Sequence, residues 1–299
     1  MPSFSEAIPQ ALKRNLIFVH GKGGVGKSAV SQAIALRLAE QGHRTLWCTF
    51  EDPVKPKGEI IQKTSHLWEL NCDFTEAFEE YASMKIGIPA LTRIFLQNKL
   101  MRYLSQAAPG IHELVLLGKV WFERSHFDHV VVDMQSTGYG LAMFQSTENF
   151  IKLFHGGPLN RDAQSMLTTL QDSEQTTHLI LSLPEEMPLR EALDLNDYLV
   201  KLFPQNPAYF FVNRLFPEVQ DSSLNIRETP KDWPTPLAHS AREYAKKRTL
   251  LESYNLRIWR DLGIEFGRLN WVALGQKEAN SSSQALVNQL AEQLKTQGH

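Results

Sequence analysis

The chain opens its first ordered pattern with an unbroken apolar run, Leu16-Ile17-Phe18-Val19, the signature of a strand buried on both faces. The next seven residues, His20-Gly21-Lys22-Gly23-Gly24-Val25-Gly26, can continue neither a strand nor a helix. From Lys27 the spacing becomes helical: Val30, Ile34 and Leu38 recur one turn apart, and Gln41-Gly42 closes the segment with a residue suited to a left-handed cap. Thr45-Leu46-Trp47-Cys48-Thr49-Phe50 reads as a second strand, so the first fifty residues predict one βαβ unit with a right-handed crossover.

Further core strands are expected at Val130-Val131-Val132, His178 to Leu183 and Tyr209 to Val212, with a weaker candidate at Trp271-Val272-Ala273-Leu274. A helix that tolerates Pro188 in its first turn carries Ala192, Leu195, Leu199 and Leu202 on its inner stripe. Strands alternating with helices predict an α/β fold, a doubly wound and mostly parallel sheet. Two stretches exceed that alternation. Met84 to Ala108 and Ile111 to Arg124 read as helices parted at Pro109-Gly110, and Leu141 to Phe154 and Pro158 to Leu170 as two more, parted at Gly156-Gly157. These helical insertions, at about 60–125 and 141–176, are expected to form a helical layer or subdomain within one domain spanning 1–299. Ser222 to Pro236 reads as a long surface loop, Ala238 to Trp259 as a helix, and Gln284 to Lys295 as an amphipathic helix with Leu286, Leu290 and Leu294 on one side.

The glycine turn carries the chemistry. Gly21-Lys22-Gly23-Gly24-Val25-Gly26-Lys27-Ser28 satisfies the P-loop spacing G-x-x-x-x-G-K-[ST], between a buried strand and an amphipathic helix as that motif requires. Glycines let the main chain turn its N–H groups, through to Ala29, toward phosphate, and the helix points its positive end there. Lys27 supplies a point charge to the β- and γ-phosphates, and the Ser28 hydroxyl is a magnesium ligand. Lys22 is an addition that an ordinary P-loop does not need. It marks the deviant form K-G-G-x-G-K-[ST], whose extra lysine reaches nucleotide held by a partner subunit; the plainer reading is a solvated loop lysine.

Together with later landmarks, these residues resemble the arsenite-pump ATPase (ArsA) family, which includes the ATPases that target tail-anchored proteins. The resemblance implies a P-loop NTPase fold, ATP or ADP with Mg²⁺, and a homodimer that meets across the nucleotide face. Glu51-Asp52-Pro53 matches the family's first switch, which implies that Asp52 orients the attacking water and assists at the metal, with Glu51 as the local rival. Asp133 matches the acid that holds magnesium through water. The family's second switch reads close to D-T-A-P-T-G-H-T, where this chain has Asp133-Met134-Gln135-Ser136-Thr137-Gly138-Tyr139-Gly140, keeping Asp133, Thr137 and Gly138 but lacking the proline and histidine. Pro109-Gly110-Ile111 with Glu113, and Pro184-Glu185-Glu186, resemble two further landmarks. Asn213 occupies the position where the family reads adenine, although an asparagine at a strand end is also a common turn residue.

Composition narrows the function. The chain has 299 residues with 31 basic and 33 acidic side chains, a balance that argues against a nucleic-acid coat. No apolar run approaches a membrane span and no secretory leader is visible, so the expected location is cytoplasmic. The two cysteines, Cys48 and Cys72, form no CxxC, which speaks against the zinc clasp of the targeting members, the thiol site of the arsenite pumps and the cluster of a nitrogenase-type iron protein. Met84, Ile88, Leu91, Phe95, Met101 and Leu104 could form a face for a hydrophobic-helix or membrane-protein client, or simply pack as core. Two other functions stay open: a chromosome- or septum-positioning ATPase, for which the tail helix has too few basic and aromatic residues, and a nucleotide-gated adaptor with negligible hydrolysis.

Overall fold

The computed structural model describes residues 11–86, 110–153, 156–216, 235–270, 272 and 282–296. Among them the strands are β1 (Leu16–His20), β2 (Thr45–Phe50), β3 (Ile60–Gln62), β4 (Leu67–Cys72), β5 (His129–Asp133), β6 (Thr176–Ser182), β7 (Tyr209–Leu215) and β8 (Phe266–Asn270). The helices are α1 (Lys27–Glu40), α2 (Phe74–Ile86), α3 (Ile111–Glu123), α4 (Thr137–Leu153), α5 (Pro158–Gln171), α6 (Glu186–Leu202), α7 (Thr235–Asp261) and α8 (Ser282–Thr296). The strands form one sheet in the order β3-β4-β2-β5-β1-β6-β7-β8, parallel throughout except for the antiparallel β3–β4 pair at one edge.

The period of two along each strand divides the core between the two faces of the sheet. Leu16 and Phe18 join Leu46, Cys48, Val130 and Val132 on one face, covered by α3 to α7. Ile17 and Val19 join Trp47, Val131, Leu179 and Leu181 on the other, covered by α1 and α8. Helices on both faces make the sheet doubly wound. The chain leaves β1 toward β2 on one side and β6 toward β7 on the other, so the winding reverses between β1 and β6. Ligands of such sheets bind outside the carboxyl ends of the strands at that reversal.

Helices α2 to α5 occupy part of the two stretches expected as helical insertions, but the first stretch begins differently. Residues 60–72, expected within a helical insertion, form β3 and β4, and the helical part begins at Phe74. β4 is a mixed strand whose Glu69 is paired by Lys55 and Lys63, at 2.8 and 2.9 Å, so the sequence lacks the continuous apolar run of the central strands. Among the described residues the last strand is Phe266–Asn270, and Gly267 and Arg268 hide it; of the expected Trp271-to-Leu274 run only Val272 is described, and the rest lies outside the described residues. The tail helix packs Val287, Leu290 and Leu294 into the core on the α1 face. Helix α2 takes in Met84 to Ile86; the rest of the expected Met84-to-Ala108 helix, with Ile88, Leu91, Phe95, Met101 and Leu104, lies outside the described residues. So does the expected loop from Ser222 to residue 234, while Thr235 and Pro236 begin α7. The strand pairing also brings the two cysteines together: both are buried, and burial first, then the hydrogen-bonded Cys72 thiol, push the Cys48 thiol well above its usual range.

Candidate nucleotide site

The glycine turn sits at the carboxyl end of β1, where backbone crowding explains its composition. A Cβ on Gly21, whose φ is +147°, would lie 2.4 Å from the Leu181 carbonyl oxygen on β6. Gly26 has φ +99°, and a Cβ there would lie 2.5 Å from the Asn213 Nδ2. Neither position admits a larger residue without displacing the main chain or the asparagine. The Lys27, Ser28 and Ala29 N–H groups belong to the first turn of α1, which leaves such donors without intrahelical partners. Lys27 folds back over the turn and donates from Nζ to the Lys22 carbonyl at 2.9 Å. Burial lowers the Lys27 pKa, while the nearby Asp133 charge opposes that shift.

Strand register brings the acids to the same end. Val19 pairs with Asp133 across β1–β5, placing that carboxylate one step from the glycine turn. Asp133 accepts a hydrogen bond from Ser28 and feels Lys27, Lys55 and Asp52; burial, the largest influence, raises its pKa. Its Oδ1 is enclosed and has no hydrogen-bond partner. Buried polar atoms are normally satisfied, so an orphaned carboxylate oxygen beside a serine hydroxyl marks a place for a ligand. Magnesium takes hard oxygen donors, usually one or two carboxylates with substrate phosphate and water. The Ser28 hydroxyl and the Asp133 and Asp52 carboxylates fit that demand. Among the described residues no cluster of three or more His, Cys, Asp or Glu could hold a metal.

Asp52 follows β2 and is fixed by a residue that the motifs did not reveal. The buried Asn71 side chain on β4 accepts from the Asp52 N–H at 2.9 Å and donates to the Asp52 and Lys55 carbonyls at 2.9 and 3.3 Å. The Asp52 Oδ1 accepts from the Val54 N–H at 3.0 Å. Lys55 lies 3.9 Å from Asp52 Oδ2, pairs with Glu69 and sits 3.8 Å over the Trp47 ring. No motif points to this clamp, because Asn71 reaches the Asp52 loop only once β4 has paired with β2.

Lys22 and Asn213 have definite partners as well. Lys22 Nζ donates to Glu191 Oε1 on α6 at 2.6 Å. Asn213 donates from Nδ2 to the Val25 carbonyl at 2.9 Å and accepts from the Arg214 N–H at 2.9 Å, so it braces the glycine turn from β7. Glu51, the local rival of Asp52, adopts a left-handed φ of 49° and accepts from His112 at 2.9 Å. Tyr139, standing where the resembled pattern has histidine, bonds the other ring nitrogen of His112, also at 2.9 Å. Helices α2, α3 and α5 line an apolar cavity of about 220 Å³, to which Met84, Leu114, Trp121, Phe122 and Met166 contribute.

A strand, glycine turn and helix at the winding reversal, with a half-buried lysine and acids from the ends of other strands, define a P-loop nucleotide-binding fold. Residues 14–156 match the family model described as anion-transporting ATPase, a range that contains the glycine turn, Asp52 and Asp133 but not Asn213. The chain is 26% identical to the ATPase BagA of Mycobacterium tuberculosis, over 62% of this chain and 61% of that protein. It is 23% identical to a putative arsenical pump-driving ATPase of Aquifex aeolicus, covering 71% and 84% of the two chains, and 25% identical to the arsenical pump-driving ATPase of Escherichia coli, covering 73% and 41%. The family match over residues 14–156 and these relatives support the ArsA family for this chain. The chain spans about three fifths of the length of the first relatives it matches, the 61% above.

Proposed function

We propose that this chain is a Mg²⁺-dependent ATPase of the ArsA type that closes as a homodimer around two nucleotides and uses hydrolysis to reset its helical layer. The observation that carries the reading is the convergence of Lys27, Ser28 and the unpartnered Asp133 Oδ1 at the glycine turn. The turn and the α1 N-terminus bind the phosphates through main-chain N–H groups, and Lys27 leaves the Lys22 carbonyl to meet their charge. Ser28 and Asp133, with Asp52 nearby, would hold Mg²⁺, which would supply positive charge against the phosphates. Asp52, steadied by Asn71, orients the attacking water. Lys22 exchanges Glu191 for the partner's nucleotide when the dimer closes. Asn213, already against the turn, is placed to read adenine.

The cavity between α2, α3 and α5 supports a role for the helical layer in holding a hydrophobic client or partner. Among the described residues no helix is long and apolar enough to cross a membrane. Both cysteines are buried side by side, which disfavours thiol capture of metalloid, and the core packing of α8 disfavours a membrane-seeking tail. Nucleotide binding tests the reading first. Lys27→Ala is expected to abolish saturable Mg·ATP binding while the protein stays folded; undiminished binding would overturn the assignment.

A further inference from the structure

Two segments carry the acids of this site: the loop after β2, with Glu51 and Asp52, and the turn from Asp133 into α4, with Tyr139. One side chain joins them. His112, in the first turn of α3, contacts Glu51 Oε1 through Nε2 at 2.9 Å and the Tyr139 hydroxyl through Nδ1 at 2.9 Å. Its ring stacks on Phe74 of α2, with centroids 4.7 Å apart. An ionised carboxylate only accepts, so Nε2 carries the hydrogen toward Glu51, and in the neutral ring Nδ1 accepts from the phenol. The phenol is a donor at neutral pH: burial chiefly, then the Glu113 and Glu51 charges, push its pKa up to about 12.

The bridge ends on a strained residue. Glu51 holds a left-handed backbone uncommon for a side chain of its kind, and the peptide it sets leads directly into Asp52. Asn71 fixes Asp52 from the β4 side, while His112 fixes the preceding residue from the helical layer. His112 and Glu51 are each about a third exposed, at 34% and 33%, so the pair is no mere filler of the core.

We propose that His112 is a positioning residue for hydrolysis: it ties Tyr139 to Glu51 and thereby holds Asp52 in register with Asp133. The inference rests on the ATPase reading above and deepens it. In this chain the link from the second acidic segment to the first runs through a tyrosine and an α3 histidine.

The test compares Mg·ATP affinity and phosphate release in the full chain carrying Tyr139→Phe, His112→Gln or His112→Asn, with thermal melting to confirm folding. Glutamine can place its amide where Nε2 lies and keep only the Glu51 contact; asparagine can keep only the Tyr139 contact. Each variant is expected to bind nucleotide within twofold of wild type and to lose about fivefold or more in turnover, the worth of one well-made hydrogen bond. Adding Tyr139→Phe to His112→Gln should cost nothing more, because that contact is already gone. Wild-type turnover with Tyr139→Phe unchanged, or a raised KM with kcat intact, would overturn the positioning role alone. A wild-type chain without turnover would overturn the ATPase reading and this inference together.

Discussion

Asp133→Asn is a perturbation whose effects on stability and on ligand response point in opposite directions. Folding encloses Oδ1 of this carboxylate without a partner and raises its pKa, chiefly by burial. The native state therefore keeps its proton to higher pH than the unfolded chain. The resulting penalty is absent below the unfolded carboxylate range, near 4, grows as pH rises from there, and is complete above the folded value. An unsatisfied buried polar group costs about 1–3 kcal/mol, and the Ser28 hydrogen bond and Lys27 offset part of that, so we take about 1 kcal/mol as the relief on neutralisation. For a chain of this size that raises the melting temperature of the ligand-free protein by about 2 °C. In the proposed site the same variant would lose an oxygen charge offered to magnesium. With Mg·ADP at about 100 times its Kd, wild type gains about 2.7 kcal/mol, and the variant should gain only a small part of it. Thermal melts should therefore cross: the variant more stable without ligand, wild type more stable with it. The gap without ligand should close as pH falls through the carboxylate range. A variant less stable without ligand, or one with an undiminished Mg·ADP shift, would refute the reasoning.

Gly26→Ala places a methyl 2.5 Å from Asn213 Nδ2 in a left-handed backbone, so it should cost about 2–4 kcal/mol through strain and the lost Asn213–Val25 bond, read by urea unfolding. Unchanged stability would mean that Asn213 does not brace the turn. Lys22→Ala should leave nucleotide binding to the monomer intact yet reduce turnover at least tenfold, with the Mg·ATP-loaded wild type dimeric by light scattering. A Lys22→Ala protein with full turnover, and a loaded wild type that stays monomeric, would remove the dimer from the account.

The sheet centre was legible because β1, β2, β5, β6 and β7 are buried on both faces and so carry continuous apolar runs. The edges were not. β3 has two exposed residues around the half-buried Ile61, β4 includes the ion-paired Glu69, and β8 includes Gly267 and Arg268, so none shows the unbroken pattern. The site divides in the same way. Glycines and Lys27 announce themselves because local backbone geometry and phosphate chemistry demand them within eight residues. Asn71, Lys55 and His112 act through partners that become neighbours only once β4 has paired with β2 and α3 has packed on the sheet. Lys22 was visible as an unusual residue, but its pairing with Glu191, on another element, was not.

Asp52→Asn gives the most direct measurement of whether this is a hydrolytic site with Asp52 aligning the water. The substitution preserves the shape of the side chain and the Asn71 contacts to its backbone while removing the charge. Single-turnover phosphate release should fall by about a hundredfold or more, as for loss of a positioned base, while Mg·ATP affinity stays within a few fold of wild type. Release at the wild-type rate would contradict the account.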